Sequence, residues 1–372
     1  MLVVVTIIMP CTADLKIDTS KPVLVTGGTG YIASVLIDLL LSKGLKVHTT
    51  VRDPSNAEKL AHLKALEDKH KGAGGSLAFF KGNLVEEGSF ANAMKDCAIV
   101  FHTASPWIQE PKNPYKEVVE PAVNGTANVL NQATKTPTVK RVVLTSSALA
   151  ICGDATDAND APGGVFSEVV WNRTNNIKKG PYAYSKVMAE MKAWEIAGSQ
   201  TQWKLVVINP GFVLGPGVTT HPTSESWKIL KQIGDGTMAS GCPAFGFGLV
   251  DVRDVAQAHM AAAFLENATG RHLVNGCNSD LFQLGQALQG KYGNDYALPK
   301  SKVNKWLLWL IAPYLGLGLT REQVWNNVDV SFKIDNTKSK EELFMTYIPM
   351  KQTCEEMFQQ MIDAGMVQPK KK

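Results

Sequence analysis

The sequence predicts an α/β protein built on a doubly wound parallel sheet. Three observations carry this. A short apolar strand, Val23-Leu24-Val25, runs into a glycine turn and then into a helical pattern. Strand-like and helix-like segments keep alternating as far as residue 210. The strands are apolar almost throughout, as strands covered by helices on both faces are.

The elements follow in order. After Pro22 and the first strand, Ile32, Val35, Leu36, Leu39 and Leu40 recur at helical spacing, with Ser34, Asp38 and Lys43 on the other side. Gly44 is a stop signal. Lys46 to Val51 is rich in β-branched residues and reads as the second strand. Leu77 to Phe80 reads as a strand, Ser89 to Lys95 as a helix and Ala98 to Thr103 as a strand. Tyr115 to Thr134 reads as one long helix in which Pro121 is awkward. Arg141 to Thr145 is a strand, followed by a polar loop through Asp154 to Gly164. Tyr182 to Ala197 is helical and Leu205 to Ile208 is again a strand.

After Asn209-Pro210-Gly211 the texture shifts to Gly-, Pro- and Ser-rich loops. The expected organisation is an extension over 1–20 and a dinucleotide-binding domain over 21–210, to which 249–277 returns. A smaller substrate-binding region takes 211–248 and 278–372. Trp306 to Ala312, closed by Pro313, reads as a buried helix of that region.

Composition narrows the function. The chain has 372 residues, 45% of them hydrophobic, enough for one large or two unequal domains. Its net charge of +4 is scattered, so no basic stripe argues for nucleic acid, and Lys370 to Lys372 reads as a solvated tail. Six cysteines without a Cys-x-x-Cys argue against a metal site or a disulfide framework and fit a reducing compartment, the cytoplasm. Leu2 to Met9 is apolar but short, lacks a basic leader and precedes Pro10, so neither a targeting signal nor a membrane span is expected.

The turn Thr26-Gly27-Gly28-Thr29-Gly30-Tyr31-Ile32-Ala33 lies between a strand and a helix. In that context glycine lets backbone N–H groups approach a pyrophosphate, and the helix N-terminus adds favourable partial charge. The second strand ends in Val51-Arg52-Asp53. An acidic residue there suits ribose hydroxyls and a basic one the 2′-phosphate of NADP. Arg52 comes first and Lys59 can add a second charge, which favours NADP. Asp53 is left to cap the next helix or to pair with Arg52.

Tyr182 and Lys186 stand at i and i+4 and share a helix face. A tyrosine can donate a proton to a developing alkoxide, and a neighbouring ammonium lowers its ordinary pKa of about 10. Tyr184, two positions on, points away. Ser146 and Ser147 end a strand at the carboxyl edge of the sheet, where ligands bind in such folds. One of the two hydroxyls can orient a substrate oxygen, because adjacent strand residues face opposite sides.

Taken together, these segments resemble the extended short-chain dehydrogenases/reductases, and within them the dihydroflavonol reductase, cinnamoyl-CoA reductase and methylglyoxal-type aldehyde/ketone reductase group. The resemblance rests on residues 25–33, Val51-Arg52-Asp53-Pro54, Val100 to Pro106, Asn124-Gly125-Thr126 and Thr145-Ser146-Ser147-Ala148. It continues through Tyr182 to Lys186, Asn209-Pro210-Gly211 and Val250 to Ala256. It covers about residues 21 to 368.

It implies a Rossmann-type fold and NADPH-linked carbonyl reduction. Ser147 would polarise the substrate, Tyr182 would be the acid/base, and Lys186 would hold the nicotinamide ribose. Asn124 would sit in the proton-relay region behind the lysine. The cofactor set it implies is Thr26, Gly27, Thr29, Gly30, Tyr31, Ile32, Arg52, Lys59, Asn83, Leu84, Thr103, Ala104, Ser105, Lys186, Pro210 and Val213. Two departures stand out. Asn83 replaces the family's aspartate at the adenine amino group. The segment Lys179-Gly180-Pro181 before Tyr182 lacks the aromatic and cysteine signature of cinnamoyl-CoA reductases, which argues against a CoA thioester.

The expected substrate is an aldehyde, ketone or β-keto ester with an apolar substituent. Trp107, Phe212, Tyr184 and residues within Trp227 to Phe247 are candidates for its pocket. The same fold also serves NAD-dependent sugar-nucleotide epimerases/dehydratases, hydroxysteroid dehydrogenases and non-catalytic dinucleotide sensors. A monomer or a homodimer is expected.

Overall fold

The computed structural model describes residues 18–106, 111–221, 224–314 and 319–370. The expectations for Leu2 to Met9 and for Trp107 fall outside them. No helix among the described residues is long and apolar enough to cross a membrane.

The alternation of the first half folds as it reads. Strands β1 (Val23–Val25), β2 (Lys46–Val51), β3 (Ser76–Lys81), β4 (Ile99–His102), β5 (Arg141–Thr145) and β6 (Lys204–Pro210) are joined by helical crossovers. Helices α1 (Tyr31–Ser42), α2 (Ala57–Lys69), α3 (Ala91–Met94), α4 (Glu120–Lys135) and α5 (Pro181–Gly198) cover the faces. With β9 (Gly270–Val274), these strands form one parallel sheet in the order β3-β2-β1-β4-β5-β6-β9. The strand order reverses between β1 and β4. A crevice opens there at the carboxyl ends of the strands, and this is where such sheets bind ligands.

Beyond β6 the chain changes layer within one residue. Gly211 alone separates β6 from β7 (Phe212–Leu214). A Cβ at Gly211 would lie 2.5 Å from the carbonyl oxygen of Gly248, so only glycine allows that approach. β7 pairs with β8 (Gly246–Asp251), and β8 pairs antiparallel with β10 (Cys277–Asp280) in a second, three-stranded sheet. Helices α6 (Glu225–Gly234), α7 (Val252–Phe264), α8 (Leu281–Tyr292), α9 (Lys305–Ile311), α10 (Arg321–Asn327), α11 (Thr337–Glu342) and α12 (Met350–Asp363) complete the order.

The core forms in layers. Leu36, Ile37 and Leu40 of α1 and Val255 and Ala262 of α7 pack on one face of the large sheet. Val129 and Leu130 of α4 and Ala193 of α5 pack on the other. Trp227, Leu288 and Phe358 hold α6, α8 and α12 on the small sheet. Arg141, first residue of a strand that reads as apolar, is buried. Its guanidinium donates to the carbonyls of Ala262, Leu265, Glu266 and Ala268 at the end of α7.

Two expectations need correction. The long helix expected over Tyr115 to Thr134 begins with a π-helical turn, Tyr115–Val119, and becomes α-helical at Glu120. Pro121 therefore sits in the first α-helical turn, where its missing N–H is not needed. The Trp306 to Ala312 run does form a helix, but it is not a buried one. Leu308 and Ala312 pack inward on Val324 and Val328, whereas Trp306 is 62% exposed and Leu310 54%. Apolar residues on every side made the run read as buried, yet α10 covers one side only.

Candidate active site

The glycine turn is built from β1 outward. Thr26 is fully buried and works as a clamp. Its Oγ1 accepts the N–H groups of Thr103 and Ala104 and bonds His102 Nδ1 at 3.0 Å, while its own carbonyl accepts the Thr103 hydroxyl. Thr26 thus ties the loop after β4 to the turn, its hydroxyl taken up within the protein. Gly27 has a φ of +71°, and the N–H of Gly28 donates to Thr50 O. A Cβ on Gly28 would lie 2.1 Å from Thr49 Oγ1. The turn therefore lies flat on β2, and no side chain caps α1. That leaves the positive end of a twelve-residue helix facing the crevice, which suits a pyrophosphate.

The end of β2 separates the two candidate ribose residues. Asp53 turns back on Ser55, accepting its N–H at 2.9 Å and its hydroxyl at 2.6 Å. Those two bonds hold its carboxyl below the usual range. Asn56, rather than Asp53, caps α2 by accepting the Lys59 N–H. Arg52 and Lys59 are both exposed, and neither forms an ion pair among the described residues. Asn83 follows β3 and folds into a local turn, its Oδ1 accepting Val85 N–H at 3.3 Å.

Past the turn, a cavity of about 700 Å³ runs along the carboxyl edge of the large sheet. Thr29, Gly30, Tyr31, Ile32, Thr103, Ser105, Pro210 and Val213 line it together with Ser147, Tyr182 and Lys186. Helix α5 places Tyr182 and Lys186 on one face, with the ammonium 5.5 Å from the centroid of the phenol ring. Lys186 is buried, and its Nζ donates to Ser105 Oγ at 3.1 Å. Ser147 begins the short turn Ala148–Ala150, and its Oγ accepts the Leu149 N–H at 3.1 Å, leaving its own O–H as a donor. Ser146 points the other way, into the core, and donates to Glu190 Oε2 at 2.5 Å. Both serines border the cavity, but only the Ser147 hydroxyl is not committed to Glu190.

The far end of the cavity is apolar. Phe166, Phe212, Phe245, Phe247, Phe332, Leu149 and Ile334 form its walls. Of the expected pocket residues, Phe212, Phe245 and Phe247 take part. Tyr184 does not, and Trp227, on α6, is buried in the core of the small sheet.

Other expected site residues lie elsewhere. Gly27 and Ala104 pack against each other, the would-be Cβ 3.0 Å from Ala104 Cβ. Asn124 is exposed on α4. The residues of that helix that reach the recess of about 20 Å³ behind Lys186 are Ala122 and Thr126, with Leu84 beside them. Helical phase thus takes Asn124 away from the lysine. Sequence reasoning also missed His221 and Ser224, which line the cavity beside Tyr31. The His221 ring lies 5.1 Å from that of Tyr31, and burial lowers its pKa to about 4, so it is neutral. No local motif announces either residue.

A switch-point crevice, a flat glycine turn and a Tyr–Lys pair beside a serine define a nicotinamide-dependent oxidoreductase. The comparisons agree. The model of the NAD dependent epimerase/dehydratase family matches residues 23–275, and the chain belongs to that family, the extended short-chain dehydrogenases/reductases. It is 40% identical to a cinnamoyl-CoA reductase of Medicago truncatula over 67% of this chain and 74% of that one. It is 38% identical to tetraketide alpha-pyrone reductase 1 of Arabidopsis thaliana over 70% of this chain and 77% of that one. The structure of Gre2 from Candida albicans in complex with NADPH superposes with a TM-score of 0.74 at 27% identity, covering 92% of this chain and 99% of that one. The protein is an NAD(P)-dependent reductase of carbonyl-type substrates.

Proposed function

We propose that the protein uses NADPH to reduce an uncharged aldehyde or ketone bearing an aromatic-sized apolar group, with Tyr182 as proton donor. The observation that carries this is the single cavity that joins the glycine turn, the Tyr182–Lys186–Ser147 cluster and the phenylalanine walls. Bound NADPH supplies a hydride to the carbonyl carbon. The Ser147 hydroxyl holds the carbonyl oxygen, and Tyr182 passes its proton to the oxygen as charge builds there. Lys186 stabilises the phenolate left behind, and Ser105 fixes the lysine's direction. Arg52 and Lys59 supply two cations for a 2′-phosphate, while Asp53 is turned away by Ser55.

The walls select against charge. Among the described lining residues the only charged side chains are Lys186 and Glu225, and Glu225 opens α6 next to Ser224. The phenylalanine end offers neither a cation nor a helix N-terminus to the phosphates of a nucleoside diphosphate sugar or a CoA thioester.

The test is NADPH consumption over a panel of aromatic and aliphatic carbonyls. Tyr182→Phe is expected to lower kcat by about 10²–10⁴-fold, the ordinary yield of general acid catalysis, while NADPH still binds. Undiminished turnover by Tyr182→Phe would remove the proposed acid. A parent enzyme that uses NADH alone would remove the phosphate reading.

A further inference from the structure

The cluster described above sits on a buried ion pair that the proposed chemistry does not use. Glu190 is one helical turn beyond Lys186, so Tyr182, Lys186 and Glu190 repeat at i, i+4 and i+8 on α5. Its side chain is wholly buried and meets Arg271 of β9, itself 7% exposed. Arg271 Nε donates to Glu190 Oε1 at 2.5 Å. Glu190 Oε2 accepts the Ser146 hydroxyl at 2.5 Å and Asn209 Nδ2 at 2.8 Å. Asn209 Nδ2 also donates to the carbonyl of Ser147 at 3.1 Å.

The guanidinium reaches the other end of the same turn. Arg271 donates to the carbonyls of Ala150, Glu168 and Val170, and it stacks 3.8 Å from the Trp171 ring centroid. Ser147 opens the turn that Ala150 closes. One ion pair therefore holds that turn at both ends. It also joins the turn to the helix of Tyr182 and Lys186, and to the strand end that carries Pro210.

We propose that Glu190, fixed by Arg271, is a positioning residue that sets the Ser147 hydroxyl at its distance from Tyr182. This rests on the roles given above to Ser147 and Tyr182. A carboxylate suits the task because it accepts from several donors at once, and here Ser146, Asn209, Trp194 and Arg271 all donate to it. A glutamine cannot accept from all four, because one of its two terminal atoms is itself a donor.

Glu190→Gln is expected to lower kcat by about a hundredfold, the scale of a 1 Å misplacement. The Kd for NADPH should change far less than kcat, because Glu190 touches neither the glycine turn nor Arg52. With NADPH deuterated at the transferred hydrogen, the isotope effect on kcat should rise as hydride transfer becomes the slow step. A merely structural role would lower thermal stability and leave the folded fraction with the parent kcat and isotope effect.

Breaking one half of a buried pair can prevent folding. A second variant, Glu190→Leu with Arg271→Met, replaces the pair by apolar packing, an exchange that often preserves stability. It loses every bond to Ser146, Asn209 and Ala150, so the fraction that circular dichroism shows folded is expected to be slow. Parent-like kcat in either folded variant overturns the proposal. A parent inactive on every carbonyl overturns the proposed function instead, so the two failures are distinct.

Discussion

Arg52 and Asp53, adjacent at the end of β2, are in opposite situations. Asp53 spends its carboxylate on Ser55, whereas Arg52 stays exposed with no ion pair among the described residues. Arg52→Ala should therefore raise the KM for NADPH by about tenfold to a hundredfold, the worth of one or two charge-assisted bonds. The KM for NADH should barely move, and the ratio of the two constants is the readout. At this scale the sequence was most legible where function is local. Tyr182 and Lys186 share a face by helical arithmetic, and the glycine turn stands out between its strand and its helix. Asn124 failed for the same kind of reason, since its phase on α4 turns it to solvent. His221 and Ser224 could not be found, because only the folding of a distant loop onto Tyr31 brings them to the cavity.

Elements were legible where their apolar residues had one place to go. β2 and β5 fall where composition put them. Arg141 was less transparent. Within a strand it reads as a stray charge, yet it gathers the carbonyls that end α7, a helix more than a hundred residues away. A cation there satisfies orphan acceptors and complements the helix dipole. Arg141→Met keeps the length of the side chain and loses the donors. It should cost about 3 kcal/mol by denaturant unfolding, because charged donors to buried carbonyls are worth more than neutral ones. Helix α9 was misjudged because hydrophobicity reports what a segment prefers and says nothing of how many neighbours arrive. Leu308 found α10, and Trp306 and Leu310 found solvent.

Across the whole molecule, buried histidines shape the pH response. Burial lowers His102 to about 3 and His259 to about 4, as it lowers His221. At His259 burial outweighs the bond from Nδ1 to Val255 O at 2.8 Å, which on its own would favour the charged ring, and Nε2 bonds Thr145 Oγ1 at 2.6 Å. With pKa values below the unfolded value of about 6.5, each contributes stability in full above that pH and loses it as the pH falls toward its folded value. Asp254 runs the other way. Raised to about 7 by burial, it weakens the fold as the pH rises through that value. Burial lowers His272 to about 4 as well, so the histidines outnumber the raised carboxyls of Asp254 and Glu168. The midpoint of thermal unfolding therefore falls steadily from pH about 6.5 to about 4, and a flat scan across that interval would contradict the assignment.

Gly211 has a consequence at this same scale. It joins the last residue of β6 to the first of β7 so close to β8 that a methyl group would strike Gly248 O. At that point the catalytic wall of the cavity and the aromatic one meet backbone to backbone. Any residue larger than glycine would wedge them apart.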